Sequence, residues 1–329
     1  MNRHVVVLAA MLLVATQANA QRFEPTASAG TRWFKGNTHS HTINTDGDSP
    51  PDTVVQWYRT HGYNFLVISD HDTITEPATL SRYQDSAFIL VRGEEVTGRF
   101  QTKPVHLTAI RLRQIVKPRT GASLLETLQS NVDAIREAGG IPLINHPNYR
   151  WALNYDVLQQ VQRVALFELF NGHPQVHNDG GDGVPSTEAQ WDALLSAGKR
   201  IYGVASDDAH HWKQWGRASV NPDRGWIYVR AQRLDPDELA RALEAGQFYA
   251  STGVELTDVI VSQNTIEIRV KQDRDFKYVT EFMGNGGRVL ARAHGTTARY
   301  ELKDSVSYVR ARIIDSGGRR AWVQPVFVN

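Results

Sequence analysis

His39 and His41 stand two residues apart, as do Asp208 and His210, and between these pairs the chain carries Asp46, His71, Glu94, His106 and His146. In an extended strand, residues two apart share a face, so a His-x-His pair can hold one cation between two imidazoles. The chain has 12 histidines and no cysteine. Thiolate zinc sites, cysteine nucleophiles and a disulfide framework are thereby excluded, and any metal must rest on His, Asp and Glu. A single histidine is more often a surface or packing residue than a ligand. What distinguishes this set is that its members fall at the ends of, or within, successive apolar runs. His61, His173, His177, His211 and His294 lack that placement and read as ordinary residues. Asp70, Asp72, Glu95 and Asp207 adjoin candidate ligands and read as supporting groups. Glu168, Asn171 and Gly172 follow another run, where they could orient a substrate or support a ligand histidine.

The elements that must position these side chains are short. Runs at 65–68, 88–91, 105–110, 141–144, 164–167 and 201–205 are apolar and rich in β-branched residues, as suits strands covered on both faces. Helix signals lie between them. Ser49 precedes Pro50, Pro51 and Asp52; Ser123 with Glu126 forms a capping box; Asp235 precedes Pro236; Gly62, Gly139 and Gly246 stand at stops. Alternating strands and helices over residues 21–253 predict an α/β domain, a distorted (β/α)7 TIM-like barrel whose strand ends converge on one basin. From 254 to 329 the helical period disappears, and runs at 258–262, 265–270, 278–282, 308–314 and 321–327 alternate in character between Gly and Asn/Asp turns. That pattern predicts a small antiparallel β-sandwich. Gly180 to Gly183 reads as a surface loop, and Trp57, Tyr58 and Trp191 as core packing.

Taken in order, His39-Ser40-His41, Asp46-Gly47, Ser69-Asp70-His71-Asp72, Gly93-Glu94, His106, Asn145-His146-Pro147 and Asp208-Ala209-His210 resemble the motif series of the PHP (polymerase and histidinol phosphatase) family of metallohydrolases. The resemblance implies three divalent cations, Zn, Mn or Fe. His39, His41 and Asp208 would bind the first, Glu94 would bridge it to a second held by His106 and His146, and Asp46, His71 and His210 would bind the third. Glu94, Asp208 and His210 would be the groups nearest the reaction. The stretch Phe248-Tyr249-Ala250-Ser251-Thr252-Gly253 before a β-domain is similar to an exported branch with carbamate-hydrolase relatives.

Clustered cations lower the pKa of water and neutralise an electrophile, which suits hydrolysis of a phosphate ester. Carbamate or carboxylic ester hydrolysis on the same site is the alternative, and binding of metal or ligand without catalysis a third. A phosphate substrate would be expected to bring Lys or Arg to the basin, with Arg92, Arg99, Arg150 and Arg217 near the motifs; an apolar pocket near Trp151, Phe170 or Trp212 would favour the carbonyl substrates. Lys and Arg total 36 against 35 Asp and Glu, so no net field draws the protein to a nucleic-acid polymer, and a small-molecule substrate is expected. Arg3 and His4, an apolar run at 5–14 and Ala18-Asn19-Ala20 read as a signal peptide over residues 1–20. The run is shorter than the ~20 residues of a membrane span. Export is therefore expected, to the periplasm in a two-membrane bacterium, with no anchor after cleavage.

Overall fold

The computed structural model describes residues 30–303 and 305–328, so the expected signal peptide lies outside the described residues. The first part of the chain runs β1 (Arg32–Asn37), α1 (Pro51–Thr60), β2 (Phe65–Leu66), β3 (Ile89–Leu90), β4 (Gly93–Phe100), β5 (Lys103–Ile110), α2 (Leu124–Glu137) and β6 (Ile141–Ile144). It continues through α3 (Tyr155–Gln160), β7 (Leu166–Asn171), α4 (Thr187–Ser196), β8 (Tyr202–Ser206), β9 (Trp226–Ala231), α5 (Pro236–Glu244) and β10 (Phe248–Ser251). The remainder is β11 (Leu256–Val261), β12 (Thr265–Val270), β13 (Tyr278–Gly284), β14 (Arg288–His294), β15 (Thr297–Glu301), β16 (Tyr308–Asp315) and β17 (Arg320–Phe327).

Two of the three expected helix starts are capped as read; α1 instead begins after Pro50 with no side-chain cap, and Ser49 Oγ donates to Asp48 Oδ1 at 2.8 Å. Ser123 Oγ accepts from Glu126 N at 3.0 Å, and Glu126 Oε2 accepts from Ala122 N at 2.8 Å. Asp235 Oδ1 accepts from the backbone of Asp237 and Glu238, with Pro236 at the first helical position. Gly62, Gly139 and Gly246 take φ of +77°, +76° and +69°, the left-handed conformation that ends a helix without a Cβ clash.

The strands form three sheets. One has five strands in the order β4-β5-β6-β7-β8, one has three in the order β11-β12-β15, and one has nine in the order β14-β13-β16-β17-β10-β9-β1-β2-β3. The expected closed barrel is not formed by the hydrogen bonding: the sheets are open. Two causes are visible. β2 and β3 are each two residues long, and β4 and β5 form an antiparallel hairpin where a parallel β/α unit was expected. Isolated parallel bridges, Ser40 with Ala209 and His71 with Glu95, connect the sheets beside the candidate ligands. The nine-stranded sheet also runs through the expected domain boundary, because β10 pairs antiparallel with β17. Beyond it, β11, β12 and β15 pack over the β13, β16 and β17 end of that sheet around Tyr249, Ile266, Ile268, Phe282, Val309 and Ile313. A separate core fills the first part, with Val67, Leu107, Ile144, Phe167, Trp191, Val204 and Ile227 all buried.

Candidate metal centre

Each element delivers its polar residues as it leaves the core. β1 ends at Asn37, so His39 and His41 lie just beyond, both fully buried, and β6 and β8 likewise end before His146 and Asp208. His146 has φ of +23° and Asp208 of +51°, unusual for residues with side chains. Such strain persists where surrounding contacts over-determine it, and it concentrates at functional sites. Here it turns both side chains into one basin.

Glu95 is the hub. Its Oε2 lies 3.4 Å from Nε2 of both His39 and His41 and 3.0 Å from Nδ1 of His71. Its Oε1 lies 3.2 Å from His106 Nδ1 and 3.4 Å from His146 Nε2. Asp208 Oδ1 is 3.1 Å from His39 Nε2 and 3.3 Å from His41 Nε2, and Asp46 Oδ2 is 3.2 Å from His71 Nε2 and 3.4 Å from His210 Nε2. Of the expected set, His39, His41, Asp46, His71, His106, His146, Asp208 and His210 are thus brought together. Glu94 is not. Successive strand residues point to opposite faces, and on β4 it is Glu95 and Thr97 that face the histidines, while Glu94 turns under the 112–116 segment and accepts from Val116 N at 2.6 Å. The position expected of Glu94, among the histidines, is occupied by Glu95. Burial raises the Glu94 carboxyl to about 7.

The donor set fits divalent cations. His39 Nε2 and both nitrogens of His41 are buried without a hydrogen bond, although carboxylate oxygens lie 3.1–3.6 Å away. Buried polar atoms are almost always paired, and nitrogens left facing a space shared with carboxylates are placed as ligands. Four overlapping groups have ligand atoms within 4.8 Å of one another: His39, His41 and Asp208; His39, Glu95 and His146; His71, Glu95 and His106; and His41, Asp46, His71 and His210. Nitrogen and oxygen donors of this kind suit several first-row metals and do not select one.

Supporting hydrogen bonds fix how the ligands are presented. Glu168 Oε1 sits 2.7 Å from His39 Nδ1 and accepts from Ser206 Oγ, while its Oε2 accepts from His146 N and Asn171 Nδ2. Glu168 is therefore a support and not a rim group. Asp208 carbonyl accepts from His210 Nδ1 at 2.8 Å, and Thr97 Oγ1 is 2.6 Å from His71 Nδ1, so both rings turn Nε2 toward Asp46. Asp70 accepts from Thr42, Thr45 and Thr75 and so holds the 42–46 loop. Asp207 accepts from Tyr58 Oη and from the backbone of Arg224 and Gly225, outside the cluster.

The carboxylates of the cluster shift the imidazoles around them in different directions. Burial would lower His39, but Asp208, Glu168 and Glu95 outweigh it and hold the imidazole well above its ordinary range. His71 rises to about 9, burial again opposing and Asp46 and Glu95 prevailing. Burial, then the charge on His210, pushes His41 down to about 4. A cation bound here would displace protons, and its affinity would rise with pH.

The basin opens into a pocket of about 120 Å³ lined by members of the cluster together with Tyr149, His173 and Val176. Sequence reading set His173 aside because it follows no apolar run at ligand spacing. It comes from the loop after β7, and its proximity to His210, with ring centroids 5.7 Å apart, is purely tertiary. Of the other histidines set aside, His61 stacks on Trp57, His177 on Trp151, His211 Nδ1 accepts from Val220 N, and His294 is exposed at the end of β14. Arg92 is paired with Glu76, and among the described residues no Lys or Arg lines the pocket.

No protein-family model and no curated protein matches the chain. Solved structures do. A two-domain protein from Bacteroides vulgatus, containing a predicted PHP-like metal-dependent phosphoesterase, aligns over 92% of this chain and 98% of its own with TM-score 0.51 and 13% identity. A protein from Bifidobacterium adolescentis assigned as a metal-dependent phosphoesterase aligns over 67% of this chain and 96% of its own (TM-score 0.42, 16% identity). A lesion-specific endonuclease from Pyrococcus furiosus aligns over 65% and 56% (TM-score 0.40, 13% identity). The first likeness spans both parts of the chain, and by it this protein has the PHP-like fold followed by a β-domain.

Proposed function

We propose that this chain is a metal-dependent hydrolase acting on a small phosphate ester. The observation that carries the reading is the single carboxylate of Glu95 within 3.4 Å of five imidazoles at the floor of a pocket. His39, His41 and Asp208 would hold one cation, Asp46, His71 and His210 another, and Glu95 would tie these to a third held by His106 and His146. Divalent cations so bound supply Lewis acidity and a water of lowered pKa. The residues' own part is to fix ligand orientation through Glu168, Thr97 and the Asp208 carbonyl, and to keep the reacting end of a substrate against the cluster. The signal-peptide pattern of residues 1–20 supports export of this activity.

One observation favours a second reading, hydrolysis of a carbamate or carboxylic ester: among the described residues no guanidinium or ammonium lines the pocket. One experiment separates them. Purified mature protein loaded with Zn, Mn or Fe is assayed for phosphate release from mononucleotides, sugar phosphates and aryl phosphates, beside aryl esters and carbamates. Phosphate release from at least one monoester is expected; turnover confined to the carbonyl substrates would replace the phosphoesterase reading with the second.

A further inference from the structure

Ten residues line the pocket, and seven of them, His71, His106, His146, His210, Asp46, Glu95 and Asp208, belong to the ion cage. The remaining wall is Tyr149, His173 and Val176. A substrate oxyanion touching the protein outside the cage therefore finds two side-chain donors, the Tyr149 hydroxyl and the His173 imidazole.

His173 is held for that task. Its backbone N–H donates to Asn171 Oδ1 at 2.8 Å, and its carbonyl accepts from Val176 N at 3.0 Å. Asn171 is itself fixed, its Nδ2 donating to Glu168 at 2.8 Å and to Asp208 at 3.1 Å. The loop is thus tied to the same carboxylates that orient the cage. The ring's tautomer is set too. Gln175 N donates to His173 Nδ1 at 3.1 Å, which makes Nδ1 an acceptor and leaves the proton on Nε2. Nε2 has no hydrogen-bond partner among the described residues, and the ring borders the pocket beside Tyr149 and His210.

We propose that His173 is a substrate-binding residue whose Nε2–H donates to an oxygen of the phosphoryl group, in the place where a guanidinium would otherwise stand. This rests on the phosphoesterase reading and adds the donor that the pocket needs. With its proton on Nε2, the imidazole offers that oxygen one N–H donor. Loss of one hydrogen bond to a charged oxygen reads as roughly tenfold or more in affinity.

The test compares metal-loaded wild type with His173→Leu and His173→Gln, the second retaining an N–H donor. Metal content, the inhibition constant of inorganic phosphate, and KM and kcat for an aryl phosphate are measured. Expected are unchanged metal content, a rise of about tenfold in KM and in the phosphate constant for the Leu variant, and recovery of most of that loss by Gln. Unchanged KM and phosphate affinity in the Leu variant overturn the proposal, as does loss of metal, which would make His173 a ligand. Should the Leu variant fail to fold, Gln against His173→Phe carries the same comparison. If wild type hydrolyses no phosphate ester, the functional reading fails by itself; His173 is then judged on inorganic phosphate binding by calorimetry, where binding that depends on His173 supports the inference and its absence overturns it.

Discussion

Five imidazoles converge on one carboxylate, so the two adjacent acids of β4 should behave oppositely when changed. Glu95→Ala removes the shared ligand and is expected to lower bound metal by at least one ion per chain and turnover by more than about a hundredfold. Glu94→Gln should leave metal content intact. Its effect is on stability, because burial raises the Glu94 carboxyl to about 7 while an unfolded glutamate stays at its ordinary value of 4.5. The folded state then binds the proton more tightly. The group's contribution is present below about pH 4.5 and is lost as pH rises through about 7. In metal-free protein, Glu94→Gln should therefore gain on wild type between pH 5 and pH 8, by roughly 2–3 kcal/mol at most. Chemical denaturation at the two pH values measures it, and a difference independent of pH would show that Glu94 does not titrate in this range. Motif order pointed to Glu94 and placed the acid within one residue. Which of two neighbouring acids faces the histidines is a matter of strand phase, and that depends on how β4 pairs with β5.

At the scale of elements, helix boundaries were the most legible feature because capping is local chemistry. Asp235 illustrates this: its carboxylate accepts from two backbone N–H groups at the start of α5, and Pro236 follows. Asp235→Ala should cost about 1 kcal/mol, seen as a lowered thermal midpoint with metal affinity unchanged. A loss of metal affinity instead would mean that α5 positions the cage more directly than its location suggests. Strands were less legible. β6 and β12 appear at the expected residues, yet β4, β14 and β15 were not anticipated. β14 and β15 carry few buried residues, so the apolar alternation that marks a strand is faint. β4 contains Gly, Glu and Arg, and it is extended because β5 lies antiparallel beside it.

Across the whole molecule, the two parts are joined by more than the chain. Arg310 of β16 is fully buried, and its guanidinium grips Asp192 of α4 through Nε at 2.7 Å and Nη2 at 2.6 Å, with Glu188 2.9 Å from Nη2 and Tyr308 donating to Asp192. Removing one partner strands a charge away from water, so Asp192→Ala should destabilise by about 3 kcal/mol, near the low end for buried pairs because Glu188 remains. The double change Asp192→Leu with Arg310→Met should recover most of that loss in denaturant midpoints. If the single change costs less than about 1 kcal/mol, the pair is not what holds β16 against α4. Neither member stood out beforehand, since 118 positions separate them. The amino-acid order by itself determined the inventory: imidazole and carboxylate donors without thiols, capped helices, short buried strands and a change of period near residue 254. Only the tertiary structure decided that the sheets stay open, that Glu95 faces the basin and that His173 closes its wall. Donor identity and local caps are written residue by residue, whereas strand phase, sheet closure and the approach of distant loops are set by packing between segments far apart in the chain.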